Sequence, residues 1–247
     1  MTIKRILAAI ALLLVSSGAA LAQTIDFQTL FPAGDASVSG RIVQLLVVMT
    51  VLSVAPGLLM MVTSFARFLI AFSFLRAGLG LQTTPNNLIL VSLALFMTLF
   101  VMAPTFQQAW DDGVKPMVEN KISQQDGYTR TTAPFRVFMQ ANVRDKDLAL
   151  FEQMSADRFG EQNKSGPDDL RVLIPAFMVS ELRRGFEIGF LVTLPFLVID
   201  LVVATVMTAM GMMMMPPTVV SLPLKVLFFV LVDGWSLLVG ALVKSFT

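Results

Sequence analysis

Long apolar runs alternate with polar segments along this chain, and their lengths decide most of its expected architecture. Residues 42–66 and 77–110 contain no Asp, Glu, Lys or Arg, residues 188–224 contain only Asp200, and residues 226–243 contain only Asp233. Runs near the ~20 residues that a helix needs to cross a bilayer predict four hydrophobic helices. They fall at about 42–63, 88–106, 186–209 and 218–243. Residues 110–184 differ sharply, with 12 acidic and 11 basic side chains among the 35 charges of the whole chain. Within them Leu148, Phe151, Met154 and Phe159 recur at helical spacing, which predicts helices over 133–139 and 145–159. A loop follows at Ser165-Gly166-Pro167. The expected fold is an all-α integral membrane protein with two apolar helical hairpins, 42–109 and 186–247, separated by a mostly helical periplasmic insert over 110–185. Pro56-Gly57 should kink the first span, and a Met-rich loop, 210–217, joins the last two.

The first 22 residues read as a cleavable signal peptide. Lys4 and Arg5 form a basic start, Ile6 to Val15 an apolar core, and Ala20-Leu21-Ala22 a small-x-small cleavage site before Gln23. Residues 23–41 then form a short periplasmic lead. Cleavage would leave Gln23 outside the cytoplasm, and four spans would return Thr247 to that side. The insert is then periplasmic, whereas Arg67, Arg76 and the Met-rich loop face inward. The two arginines fit the positive-inside bias. Arg183 and Arg184 run against it, flanked by Glu181 and Glu187.

Composition removes many chemistries. Charged residues make up 14% of the chain, well below the ~25% of soluble domains. With no His and no Cys there is no imidazole or thiolate metal site, no Ser-His triad, no Cys nucleophile and no disulfide. A formal net charge of +1 is no nucleic-acid signature. Gly78 and Gly80 lack the third glycine of a dinucleotide-binding turn. No cofactor, metal or enzymatic activity is expected.

The remaining candidates are charges in greasy surroundings and an unusual methionine run. Asp200 and Asp233 fall within predicted spans, and Lys225 lies near the start of the last one. A lone charge at a helix centre costs at least ~2.5–3.5 kcal/mol, so each needs a partner or a cavity. Asp233 cannot reach Lys225 locally, because eight residues separate them by ~12 Å along a helix. Candidate partners are Lys225, Arg67 and Arg76, or for Asp233 another helix or subunit, as a structural ion pair or as part of a proton relay. An intramembrane aspartyl protease is rejected, since neither aspartate stands in a Tyr-Asp or Gly-x-Gly-Asp setting. Met210, Met212, Met213, Met214 and Met215 cover every face of a helix, so no single packing stripe explains them. They suit either adaptable core filling or a deformable apolar seal. Gly185 and Gly189 form a small-xxx-small pair that permits close helix packing.

Four stretches carry a family resemblance: PGLLMMVTSFAR (Pro56 to Arg67), LRAGLGLQTTPNN (Leu75 to Asn87), PAFMVSELRRGFEIG (Pro175 to Gly189) and MGMMMMPPTVVSLPLKVLFFVLVDGW (Met210 to Trp235). They resemble the FliP family of flagellar type III export-gate proteins and their injectisome counterparts. One departure is Thr84, where the family usually has a second proline before Pro85-Asn86. The resemblance implies a homo-oligomer of several copies, pentamer-like, assembled with FliQ and FliR and other export-apparatus proteins. It implies a place in the bacterial inner membrane at the flagellar basal body, largely on the periplasmic side. Unfolded flagellar subunits would be the cargo, and the Met-rich loop the gasket that closes the channel. It also implies that Arg67, Arg76, Asp200, Lys225 and Asp233 are buried between proteins, and that Glu181 and Lys225 pair across a subunit boundary. An injectisome paralogue would keep the mechanism and change the cargo, although a cleavable signal resembles the flagellar branch. A small-solute transporter or channel would predict inverted repeats, and none is visible.

The signal reading has a direct check. N-terminal sequencing of membrane-extracted protein should begin at Gln23, and a start at Met1 or Thr2 would overturn both the cleavage and the orientation built on it.

Overall fold

The computed structural model describes residues 45–50, 53, 54, 57, 60–81, 83–160, 166–212 and 215–246. The signal-cleavage residues Ala20, Ala22 and Gln23, the lead 23–41, Pro56, Met213 and Met214 lie outside the described residues. The chain divides into two units, Met1–Ser53 and Val54–Thr247. In the first, residues 45–50 and 53 are helical, and Thr50 Oγ1 donates back to Leu46 O at 2.7 Å.

Every regular element among the described residues is helical. In order they are α1 (Phe65–Gly78), α2 (Asn87–Ala109), a π turn (Trp110–Val114), α3 (Lys115–Val118), α4 (Gln124–Asn142), α5 (Asp145–Phe159), α6 (Leu170–Ala209), α7 (Pro217–Leu231) and α8 (Gly234–Lys244). Polar residues at the starts explain several boundaries, because the first backbone N–H groups of a helix lack internal partners. The Asn86 side chain accepts from Leu88 N at 3.4 Å, Ser123 Oγ from Asp126 N at 3.1 Å, and Asp169 Oδ1 from Arg171 N at 2.9 Å. α7 instead opens on Pro216-Pro217, where a missing N–H costs nothing.

Among the described residues two helices, Asn87–Val118 and Leu170–Ala209, are long and apolar enough to cross a membrane. A third span arises if α7 and α8 count as one, although they meet at a 64° bend. The 40 residues of α6 reach ~60 Å, about twice the ~30 Å hydrocarbon thickness. The boundary expected at 185/186 is therefore not a break in structure, since one continuous helix carries the end of the insert into the third apolar run. The second apolar run likewise continues past Phe106 through the π turn to Val118. The insert helix expected over 133–139 is longer, as α4, and the one expected over 145–159 is α5.

The fourth span, expected over 218–243, is broken at Asp233. That residue adopts φ 51, ψ 51, in the left-handed region that Asp tolerates better than most side chains. Its neighbour Gly234 is pressed against Phe229, such that a Cβ there would lie 2.2 Å from the ring. The Asp-Gly pair is a turn signal that apolar counting overlooks. Asp233 thus stands exposed at the corner between α7 and α8.

The main core forms where α1 crosses α6. Phe68, Ala71, Phe72 and Leu75 of α1 pack with Leu90 and Ala94 of α2, Phe196 of α6, Phe229 of α7, and Leu238 and Leu242 of α8. A smaller core joins Met139 of α4 to Leu173 and Phe177 of α6. Glycines allow the α1–α6 approach: Gly185 faces Ile70 and Gly189 faces Phe74.

A Cβ at Gly189 would lie 2.7 Å from Phe74 Cγ, whereas one at Gly240 would meet no atom within 4 Å. Gly189→Ala should therefore cost a net ~1–2 kcal/mol, overpacking outweighing the gain in helix propensity. Gly240→Ala should be neutral or stabilising by up to ~1 kcal/mol. Thermal unfolding in detergent checks this, and equal melting temperatures for the two variants would show that the α1–α6 contact is not tight.

Candidate functional site

Two ionic joints and one exposed turn account for most of the candidate residues. The first joint is built on Arg67, in the first turn of α1. Its side chain and that of Glu181 on α6 are both 0% exposed. Arg67 Nε donates to Glu181 Oε2 at 2.8 Å and Nη2 donates to Oε1, a bidentate pairing. Nη1 donates to the Ser245 carbonyl at 2.8 Å and to Ser245 Oγ at 2.7 Å. The guanidinium carbon lies 3.5 Å from the centroid of the Phe246 ring, which stacks on Phe68 and Phe138. Only arginine offers both the planar fork and a face for an aromatic ring. One side chain thereby ties α1, α6 and the segment after α8.

The second joint centres on Lys225 of α7, which is buried. Its Nζ lies 2.6 Å from Asp200 Oδ2 and donates to the Gly78 carbonyl at 3.0 Å. That carbonyl ends α1, where a cation meets the negative end of the helix dipole. Ser221 Oγ donates to Asp200 Oδ1 at 2.7 Å. α1, α6 and α7 are thus joined through one ammonium.

Arg76 is half-buried and donates to Asn87 Oδ1, across the turn that contains the cis Thr84–Pro85 bond. Asp233 has no side-chain partner among the described residues. Glu181 and Lys225, expected to meet each other, each have another partner within the same chain. Of the five charges expected to be buried between proteins, Arg67, Arg76, Asp200 and Lys225 have partners within the chain. Lys225 was among the candidates for Asp200, whereas the Arg67–Glu181 and Lys225–Gly78 contacts join residues 114 and 147 apart, which no local pattern announces.

A further polar contact went unpredicted. Ser180 Oγ lies 2.7 Å from Asp147 Oδ2 and accepts from Arg144 N at 3.1 Å, fixing the start of α5 to α6. Its one signal was position, since Ser180 precedes Glu181 on the same helix.

The turn between α6 and α7 presents methionine to the outside. Met210 is 66% exposed, Met212 39% and Met215 48%. Gly211, at φ 74, reverses the chain after α6, and Pro216-Pro217 starts α7. Side chains of a packed core would not be so open, so within this chain the described methionines fill no gap. A turn of flexible thioethers can mould to, or close against, whatever faces it.

A family model described as the FliP family matches residues 48–242. The chain belongs to the FliP family. It is 57% identical to the flagellar biosynthetic protein FliP of Agrobacterium fabrum over 242 residues, covering 98% of this chain and 99% of that protein. Against FliP of Rhizobium meliloti it is 58% identical over 234 residues, 95% of this chain and 96% of the relative. Against FliP of Bacillus subtilis it is 46% identical over 221 residues, 90% and 99% respectively. The Arg67–Glu181 pair, the Lys225 joint and the methionine turn fall inside the FliP match, while Ser245 and Phe246 lie just beyond it.

The first joint generates a double-mutant test. Arg67→Met or Glu181→Leu alone should destabilise by ~3–5 kcal/mol, because each leaves a buried charge unpaired. The Arg67→Met/Glu181→Leu double variant should recover most of that loss. Denaturant unfolding of the detergent-solubilised protein measures it. A double variant as damaged as the worse single would mean that the two charges are not a unit.

Proposed function

We propose that this FliP-family chain is a core subunit of the flagellar type III protein export gate. In this reading several copies assemble with FliQ and FliR, and other export-apparatus proteins, around a channel that passes unfolded flagellar subunits across the bacterial inner membrane. Residues 110–185 stand on the periplasmic side, between the two apolar hairpins. The turn 210–217 closes the channel at rest.

The observation that carries the reading is the exposed methionine turn in a chain of this family. A channel wide enough for an unfolded polypeptide would leak ions unless blocked, and an apolar constriction can block by dewetting. Methionine adds compliance, because an unbranched thioether can collapse inward and then re-pack around a passing residue. Burial supports assembly. Only 22% of the residues in each of the two apolar windows are buried within the chain, so most of that surface has something else to meet. The charges satisfied internally leave an outer face of α6 rich in Phe186, Phe190, Leu197 and Leu201, suited to other subunits or lipid.

Met210→Ala, Met212→Ala and Met215→Ala in one chain should shorten the seal while leaving both ionic joints intact. Membranes carrying that triple variant in its complex should show raised ion or dye uptake relative to wild type. The corresponding Leu triple should seal nearly as well, since volume and apolarity are kept, but pass cargo less readily. An Ala triple that assembles and leaks no more than wild type would remove the gasket from the mechanism.

A further inference from the structure

The end of α1, the α1–α2 turn and the first half of α7 enclose a groove of about 820 Å³ that neither ionic joint nor the methionine turn explains. Its lining carries two cations, Arg76 and Lys225, and the hydroxyls of Ser73, Thr83, Thr84, Thr218 and Ser221, with no carboxylate among the lining residues. The two cations are not equivalent. Lys225 is neutralised by Asp200 at 2.6 Å. Arg76 has only the neutral amide oxygen of Asn87 as its partner, and no carboxylate pairs with it among the described residues. Ser73 and Ser221 donate to Leu69 O and Asp200 Oδ1, so the groove holds one uncompensated positive charge beside the hydroxyls of Thr83, Thr84 and Thr218, which is the chemistry of a phosphate site.

A second, smaller cavity of about 160 Å³ adjoins it. Its walls are almost wholly apolar: Phe72, Leu75, Leu90, Val226, Phe229 and Trp235 are among them. Arg76, Leu79 and Leu81 line both cavities. The guanidinium thus stands where a polar, cationic groove meets a greasy slot.

We propose that this composite cavity binds one anionic phospholipid per chain, with its phosphate at Arg76 and the groove hydroxyls and the start of one acyl chain in the slot beside Trp235. The two halves of the cavity select for an amphiphile. Inorganic phosphate would leave the slot empty, and a zwitterionic lipid would bring a further cation into a groove with no carboxylate in its lining to receive it. An acidic peptide would match the charge but has no long unbranched tail for the slot. Anionic lipids are the membrane component that attracts basic residues at a bilayer surface, and Arg76 lies in the last turn of α1 at the edge of the apolar run 77–110. The proposal needs only a membrane setting, so it stands or falls independently of the gasket.

The test uses the full chain purified with its complex, stripped of lipid by detergent exchange. Native mass spectrometry and thermal unfolding are then read after adding phosphatidylglycerol, phosphatidylcholine or inorganic phosphate. Phosphatidylglycerol should leave one bound lipid per chain and raise the melting temperature, while the other two should do neither. Arg76→Gln should weaken phosphatidylglycerol retention at least tenfold. Arg76→Lys should retain it, and Arg130→Gln, an equal charge loss at an exposed site on α4, should leave it unchanged. Should Arg76→Gln fail to assemble, a photo-crosslinker at Thr84 in otherwise wild-type protein answers the same question, because it should label lipid. Equal retention of both lipids, unchanged retention in Arg76→Gln, the full shift from phosphate alone, or crosslinking at Thr84 to protein in place of lipid would each overturn the proposal.

Discussion

A guanidinium with no access to water must find acceptors for its N–H groups inside the protein, and Arg67 finds them in two distant parts of the chain. Glu181 takes two donors from α6, and Ser245 takes a third group beyond α8. The Phe246 ring covers the remaining face. Burying a charge uncompensated would cost several kcal/mol, so the folded state must hold all these segments together or none of them. α1 is short, 14 residues, and would be a marginal helix alone. Its place is fixed by this joint at one end and by the Gly78 carbonyl on Lys225 at the other. Between them Phe68, Phe72 and Leu75 fill the core.

The same economy explains why so apolar a chain keeps so few of its apolar residues inside. Helix packing here is carried by ionic joints, glycine contacts and one aromatic core, not by wrapping each helix in others. Leu88, Phe96, Phe100 and Leu201 are among the many large apolar side chains left exposed. Isolated exposed apolar residues need no explanation, but contiguous faces of this extent mark surfaces that meet lipid or protein. Polar economy inside and apolar excess outside both suit a membrane protein.

Much of the fold was legible because its signals are local. Apolar run length located α2, the second half of α6 and the material of α7 and α8, and helical spacing in the insert located α5. Glycine spacing pointed to close packing at Gly185 and Gly189. The breaks were harder. Apolar counting passes straight through Val232, Asp233 and Gly234, and only the Asp-Gly pair signals a corner there. The end of the insert was invisible for the opposite reason: a helix can change from polar to apolar surroundings without interruption, so charge density does not report a structural boundary. The charged residues themselves were found, since charge in an apolar run is conspicuous. Their partners were found only in part: Lys225 stood among the candidates for Asp200, but Arg67 and Glu181 are 114 residues apart and nothing in either neighbourhood names the other.

α6 also imposes arithmetic on the molecule. Glu181 and Asp200 sit on one unbroken helix, 19 residues apart, and each must point at a partner on a different element. A helix turns ~100° per residue, so their angular offset is set by a whole number of residues and cannot be tuned continuously. One residue added or removed between them would swing one carboxylate about a quarter-turn away while the other stayed in place. Substitution can drift along this stretch, whereas insertion and deletion cannot. The helix therefore works as a phased shaft, and the methionine turn at its far end inherits an orientation counted out from the first buried charge.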